Sequence, residues 1–187
     1  MDQKIFKHFQ KLIESTMQVG EELADPMAAA ADKISSALLA GNRLYSCGDK
    51  SGVVLAHLFA DYMATGFEIE RPGFPAVNIN KLADNSFGAE RLARSLQVHG
   101  QSADVLFVVS GGSNSLALIS AIESAIDKGM SVVLLSSVDD DLLSASVSYN
   151  DVEISASGFS GRLADAAQFQ IIQCLSALID YQIFGGE

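Results

Sequence analysis

Positive charge is scarce in this 187-residue sequence: 12 Lys and Arg stand against 23 Asp and Glu, giving a formal net charge of −11 at pH 7. Sequence-independent binding to nucleic acid needs clustered basic side chains that neutralise phosphates. The composition therefore argues against direct contact with DNA or RNA, and any link to DNA would run through another protein. A single phosphate ligand stays possible, because a helix N-terminus and a few hydroxyls bind an anion.

Cysteine and long apolar runs are also lacking. The two cysteines, Cys47 and Cys174, are far apart, without a Cys-x-x-Cys pair or neighbouring histidines. We therefore expect no disulfide framework, no structural zinc site and no cofactor. No apolar stretch approaches the roughly 20 residues that span a bilayer, and the N-terminus lacks the pattern of a signal peptide. These absences predict a cytoplasmic protein that does not bind membranes.

What is present indicates one folded unit. Hydrophobic residues make up 49% of the chain and charged residues 19%, enough to bury a core in a chain of this length. We predict a single domain over residues 1–187. Residues 1–41 would form N-terminal helices used in assembly, and residues 42–187 an α/β core with a C-terminal helix.

The N-terminal segment carries an apolar stripe at helical spacing. It predicts a helix over residues 3–19 that needs a partner surface. An Ala-rich segment predicts a second helix over 26–40, which ends at Gly41-Asn42. The stripe residues are Ile5, Phe9, Leu12, Ile13 and Thr16.

Strands and helices then alternate. Short apolar runs such as 105–109 are typical of strands buried on both faces of a parallel sheet. The order predicts a doubly wound α/β fold, a parallel sheet flanked by helices, with an added N-terminal helix and a long C-terminal helix. The predicted strands are 43–47, 75–79, 104–109, 131–136 and 151–154, and the predicted helices are 52–65, 85–98, 113–128 and 161–184.

Two strand-to-helix turns carry the residues that could bind a ligand. They span residues 46–52 and 109–115, and ligands of doubly wound sheets lie where strands turn into helices. Glycine allows close approach, serine hydroxyls donate to phosphate oxygens, and helix N-termini favour anions. The same residue types are ordinary in turns and N-caps, so a purely structural role stays open. The candidate binding residues are Gly48, Asp49, Ser51, Ser110, Ser113 and Ser115.

Four segments resemble the phosphoheptose isomerase branch of the sugar isomerase (SIS) family, and the similarity extends over nearly the whole chain. Residues 47–52 are similar to its Cys-Gly-Asn-Gly-Gly-Ser loop, and 58–62 to His-Phe-Ala-x-Glu. Residues 71–76 are similar to Arg-Pro-x-x-Pro-Ala, and 110–115 to Ser-x-x-Gly-Asn-Ser. The resemblance implies the SIS fold and a phosphorylated sugar as the ligand of the two turns.

This sequence differs from the family at the positions of the catalytic residues. The resemblance implies a glutamate on the first helix and a histidine on the terminal helix as acid and base, but here Leu58 and Tyr62 stand at the first-helix His and Glu positions. Residues 161–187 contain no histidine. His57 and Asp61, one position earlier, remain weak catalytic candidates, although His57 is expected to be a partly buried helix residue with a satisfied ring.

The first turn also departs from the family pattern, because Lys50 replaces a glycine and Gly52 replaces the phosphate-binding serine. Lys50 could neutralise a phosphate, fill the site with its own ammonium or point into solvent. The sequence leaves these three alternatives open.

The chain ends like a non-catalytic group within this branch. Those relatives form homotetramers and bind the bacterial replication initiator DnaA through a Leu-Phe pair, and residues 174–184 resemble their ending. Ile183 and Phe184 would be the partner-binding pair, unless Phe184 only anchors the helix or packs in an oligomer. We expect a catalytically silent, homotetrameric adaptor that binds DnaA. Two alternatives are a phosphoheptose isomerase acting on sedoheptulose 7-phosphate, and a sugar-phosphate sensor using Ser110, Ser113 and Ser115.

Overall fold

The central layer is a parallel sheet whose strands are apolar enough to be buried on both faces. In the computed structural model, which describes residues 2–159 and 161–185, five strands pair in the order β2-β1-β3-β4-β5. Every neighbouring pair is parallel. The strands are β1 (Leu44–Gly48), β2 (Ala76–Asn78), β3 (Val105–Val109), β4 (Ser131–Ser136) and β5 (Val152–Ser155).

Helices cover both faces of the sheet, in agreement with the doubly wound prediction. The strand β3 shows the division: Phe107 and Val109 pack into the core under α1, α2, α3 and α7, and Leu106 and Val108 into the core under α4, α5 and α6. The α-helices are α1 (Asp2–Glu22), α2 (Ala24–Leu39), α3 (Gly52–Thr65), α4 (Arg91–His99), α5 (Leu116–Asp127), α6 (Asp141–Ser146) and α7 (Arg162–Phe184), and 3₁₀ turns occupy Ile79–Lys81 and Asn85–Glu90.

The element boundaries differ from the predictions where the local backbone is irregular. The helix predicted over 85–98 begins as a 3₁₀ turn, and α4 starts only at Arg91, after Gly88 interrupts the helix with φ 54°. The helix predicted over 113–128 starts at Leu116, because 113–115 belong to the turn. Helix α6 was not predicted, since six residues are too few for a periodic pattern.

Helix α1 leaves most of its apolar stripe uncovered in the single chain. Its second half packs on α7 and α2 and buries Ser15 and Val19. Ile5, Phe9 and Ile13 are 53%, 59% and 61% exposed. The prediction that this stripe needs a partner surface therefore still holds for one isolated copy. Among the described residues, no helix is both long and apolar enough to cross a membrane.

A buried ion pair ties the end of α3 to the end of α7. Arg71 Nε lies 2.6 Å from Asp180 Oδ1, with side chains 1% and 4% exposed. The guanidinium also donates to the carbonyl oxygens of Tyr62, Met63 and Pro72 at 3.0–3.1 Å. These hydrogen bonds satisfy the carbonyls at the α3 C-terminus. A single side chain thereby fixes the loop from α3 to β2 against α7.

We expect Arg71→Ala to lower the free energy of unfolding by about 3–5 kcal/mol, because it leaves the Asp180 carboxylate buried and unpaired. Urea unfolding followed by circular dichroism measures the change. Arg162→Ala is the matched control, since Arg162 pairs with Asp165 but is 95% exposed, and its loss should be a small fraction of that effect. Equal losses for the two variants would contradict the structural role given to Arg71.

Candidate functional site

The two predicted binding turns lie side by side at the carboxyl edge of the sheet. Strand β1 lies between β2 and β3, so the chain adds β2 on one side of β1 and then crosses to add β3 on the other side. Doubly wound sheets bind ligands at such a reversal of strand order. The first turn (Gly48–Ser51) follows β1, and the second turn (Ser110–Ser115) follows β3. All six predicted binding residues lie on these turns.

The carboxylate of Asp49 joins the two turns. One oxygen accepts a hydrogen bond from the Gly111 amide at 2.7 Å, and the other accepts from the Ser113 hydroxyl. The Asp49 amide in turn donates to the Val109 carbonyl at 3.3 Å. Asp49 is almost fully buried. Its side chain therefore occupies donors that the sequence assigned to an anionic ligand.

A second carboxylate, which sequence reasoning missed, holds the other amides of the second turn. Asp140 accepts from the amides of Ser113 and Asn114 at 3.1 and 3.3 Å, and its second oxygen accepts from the Ser137 amide at 2.8 Å. Asp140 is buried at the start of α6. Nothing in its sequence context distinguishes it from the neighbouring Asp139 and Asp141.

Lys50 crosses from the first turn to the second. Its ammonium donates to the Gly112 carbonyl at 2.9 Å, which argues against the alternative in which Lys50 only points into solvent and leaves the other two as predictions. The backbone at Lys50 is left-handed, with φ 45°. That conformation favours glycine, which gives a physical reason for the glycine that the family carries at this position.

Three glycines allow the turns to touch. A Cβ at Gly48 or Gly52 would overlap backbone oxygens, among them the Val109 carbonyl on β3. A Cβ at Gly111 would lie 2.8 Å from the Cβ of Lys50. The serine expected from the family at position 52 therefore does not fit here, because the start of α3 lies directly against β3.

The serines of the turns have different environments. Ser110 is buried, and its hydroxyl accepts from the Gly112 amide at 3.1 Å. Its carbonyl accepts from Gln168 of α7 at 2.8 Å, a contact that sequence reasoning missed. Ser113 is exposed, and Ser115 is half-buried at the start of α5. Phosphosugar binding by these residues stays a prediction.

A cleft of about 330 Å³ opens beside the two turns. Ser51, Lys50 and Gly111 form one side of its lining. The start of α7 supplies the other side, with Gly161, Arg162 and Asp165. The cleft therefore carries two basic side chains and one carboxylate, but none of its lining residues is a histidine.

The weak catalytic candidates His57 and Asp61 lie elsewhere. Both are exposed and line a cleft of about 240 Å³ between α3 and β2, which shares no lining residue with the cleft at the turns. The prediction that His57 is partly buried is wrong, because α3 turns Ala56 and Phe59 to the core and His57 to the outside. Among the described residues, no third His, Cys, Asp or Glu joins them in a set that could hold a metal.

The two first-helix positions where the family has histidine and glutamate carry packing residues, Leu58 and Tyr62. Tyr62 is half-buried, and its ring lies 4.7 Å from the ring of Phe67 between centroids. Leu58 is also half-buried. Leucine has no group that can transfer a proton, and the Tyr62 ring is engaged in packing against Phe67.

The two residues of the predicted partner-binding pair, Ile183 and Phe184, have different environments. Ile183 packs against the core. Phe184 is 45% exposed and stacks on Phe74, with ring centroids 5.8 Å apart. The Arg71 guanidinium carbon lies 4.1 Å from the Phe74 centroid. The ring of Phe184 is thus held in place while one face stays accessible.

Comparison with known proteins gives consistent results. The sequence profile of the SIS domain matches residues 7–137. The "DnaA initiator-associating protein DiaA" of Yersinia pestis (strain Pestoides F) is 30% identical over 183 residues, covering 94% of this chain and 93% of that protein.

Solved structures agree with the fold. A phosphoheptose isomerase from Francisella tularensis superimposes with a TM-score of 0.85 at 27% identity, covering 95% of this chain and 97% of that one. Phosphoheptose isomerase GmhA from Neisseria gonorrhoeae gives a TM-score of 0.84 at 21% identity over 96% and 98% of the two chains. The second likeness concerns the fold alone.

Cys47, the cysteine of the first-turn motif, is buried at the end of β1. Burial raises the pKa of its thiol to about 12, with a smaller rise from Asp49 and an opposing effect of Arg91. The thiol is therefore neutral near pH 7 and is a poor nucleophile. Partial burial also raises the pKa of Cys174.

This burial predicts an alkaline loss of stability. The folded pKa lies above the ordinary value of 9.0, so the contribution of Cys47 is constant below pH 9 and falls as the pH rises from there toward 12. The stability difference between wild type and Cys47→Ala should shrink by about 1.4 kcal/mol per pH unit above pH 9. Denaturant titrations at several pH values measure it, with Cys174→Ala as the control, because the pKa of the half-buried Cys174 is raised less and its effect should end at a lower pH. A difference that does not change with pH would contradict the prediction.

Proposed function

The chain belongs to the SIS domain family, and from that premise we propose that it is an oligomeric adaptor that associates with the replication initiator DnaA. The observation that carries the proposal is the end-to-end similarity to a protein named for that association, at 30% identity over 183 residues. Association with an initiator would bring this acidic chain to DNA through a protein partner and not through phosphate contacts. It would also place the chain in the cytoplasm.

The missing proton-transfer groups support a silent adaptor over an isomerase. Interconverting a ketose and an aldose moves a proton between neighbouring carbons, which requires a positioned acid and base. Leu58 and Tyr62 stand at the first-helix positions, and residues 161–187 contain no histidine. His57 and Asp61 could act only in a different cleft from the one beside the turns. The isomerase alternative is favoured by the likeness to the phosphoheptose isomerase from Francisella tularensis, at 27% identity.

We assign partner binding to the end of α7. A half-exposed aromatic ring that is already fixed by stacking loses little entropy on binding, which is a property of interface hot spots. Phe184 meets this description through its contact with Phe74. Arg71 is buried and would act only by holding Phe74 and Asp180 in place. Ile183 would contribute mainly by anchoring the helix end.

Self-association is assigned to the N-terminal helices, residues 1–41. The exposed stripe on α1 continues through Phe6 and Met17, which are 70% and 61% exposed. A contiguous apolar face of this kind is unfavourable in water and is covered in symmetric oligomers. We propose a homotetramer in which residues 1–187 of each copy form one domain.

The adaptor proposal predicts that the wild-type protein captures purified DnaA and that Phe184→Ala reduces capture at least tenfold, because the stacked ring is lost. Ile183→Ala should have a smaller effect. Tyr149→Ala is the matched control, since Tyr149 is fully exposed on the loop before β5 and should capture normally. Pull-down and surface plasmon resonance measure the affinities. No capture by the wild type would overturn the proposed function.

The assembly proposal predicts that Phe9→Glu combined with Ile13→Glu yields a smaller species, because two charges on the stripe oppose its burial. Multi-angle light scattering measures the mass, with a tetramer expected for the wild type. Lys11→Glu on the same helix is the control and should assemble normally. An unchanged mass for the double variant would remove α1 from the interface.

A further inference from the structure

We infer that Asp49 and Lys50 close the anion site at the reversal of strand order, so that this chain does not bind phosphate where its family would. The inference goes beyond the proposed function, because it concerns the ligand of the crevice and is independent of any protein partner.

The amide donors of the second turn are already used by acceptors within the chain. The four amides from Gly111 to Asn114 already donate within the chain: Gly111 to Asp49, Gly112 to the Ser110 hydroxyl, and Ser113 and Asn114 to Asp140. The Ser113 hydroxyl donates to Asp49 as well. To bind this turn, a phosphate would have to displace Asp49, the Ser110 hydroxyl and Asp140 from these amides. Those buried side-chain oxygens would then be left without hydrogen-bond donors.

Negative charge at the second turn also opposes a phosphate. The two buried acceptors are carboxylates, so a phosphate that approached the Gly111 amide would meet like charge from Asp49 and Asp140. Water at this depth is too scarce to screen the repulsion fully. The Lys50 ammonium keeps its positive charge, but it is exposed and donates to the Gly112 carbonyl, so solvent screens its attraction for a phosphate more than it screens the repulsion from the two buried carboxylates.

The close contact of the two turns also limits the space for a phosphate. Gly52 lies so close to β3 that even a Cβ would overlap the Val109 carbonyl, and a Cβ on Gly111 would lie 2.8 Å from the Cβ of Lys50. The two turns are in contact, and the cleft of about 330 Å³ is lined by Lys50 and Ser51 of the first turn, Gly111 of the second turn and the start of α7. Closure therefore rests on charge, hydrogen bonding and packing together.

Two substitutions separate the closing contacts from the fold. Asp49→Asn removes the negative charge and releases the Ser113 hydroxyl, because the asparagine side chain has only one accepting oxygen, and a neutral amide can give up the Gly111 N–H at lower cost than a buried carboxylate. Lys50→Gly removes the crossing side chain and suits the left-handed backbone at φ 45°. Both changes restore the residues of the related family loop, Cys-Gly-Asn-Gly-Gly-Ser. Gly52 is left unchanged because a serine there does not fit.

The test is titration of wild type and Asp49→Asn/Lys50→Gly with inorganic phosphate and with sedoheptulose 7-phosphate, by calorimetry, up to about 10 mM. We expect no binding by the wild type up to that concentration, and a dissociation constant of about 1 mM or lower for the double variant, at least about tenfold below the highest concentration tested. Asp165→Asn is the matched control: it removes one negative charge from the lining of the neighbouring cleft without releasing either turn, and should not gain binding. A folded double variant that binds neither ligand overturns the inference.

A measurement on the wild type alone covers the case in which the double variant does not fold. The Gly111 amide should be protected from hydrogen exchange by its bond to Asp49, and its NMR shift should not move as phosphate is added. A Gly111 shift that saturates at millimolar phosphate or sugar phosphate would overturn closure and favour the sensor hypothesis.

Discussion

The constraint on which the site depends is that backbone N–H groups must be paired where buried parallel strands end. Helix starts and glycine turns leave such donors in a cluster, and in many α/β proteins an anionic ligand accepts from them. Here Asp49 and Asp140 supply the acceptors from within the chain. The geometry of both turns follows from this pairing: the turns lie in contact, Lys50 is bent across them, and glycine is required at positions 48, 52 and 111.

Helix α7 connects this crevice to the proposed partner surface. Near its start Gln168 donates to the carbonyls that end β3 and β4, at 2.8 and 3.5 Å, and near its end Asp180 pairs with Arg71. The two anchors are separate, each satisfied by its own buried partners. Sequence changes at the crevice can therefore remove the chemistry without moving Phe184, and the aromatic end of the helix can change without disturbing the sheet.

The fold could be read from the sequence because its signals are periodic or continuous. The apolar run 105–109 and the alternation of strands with helices predicted a parallel, doubly wound sheet, whereas the strand order comes from the structure. Single contacts could not be read. Asp140 is one of three consecutive aspartates, and only the path of the chain after β4 selects it to pair with the second turn. His57 differs from Ala56 by 100° of helix rotation, which decides that it faces outward. Position within a motif predicted where the site lies, but not which side chains fill it.

The same physics explains how a ligand-binding fold can lose its ligand and stay stable. If a phosphate-binding turn merely stopped binding, its buried amides would be left unpaired at a cost of about 1–3 kcal/mol each. A carboxylate placed among them removes that cost permanently and also repels the former ligand. The Asp49 carboxylate, at a position where the related loop has asparagine, has both properties: it accepts from Gly111 and Ser113 and carries the charge that a phosphate would meet. In this protein the Asp49 carboxylate would then both stabilise the turns and prevent them from binding phosphate.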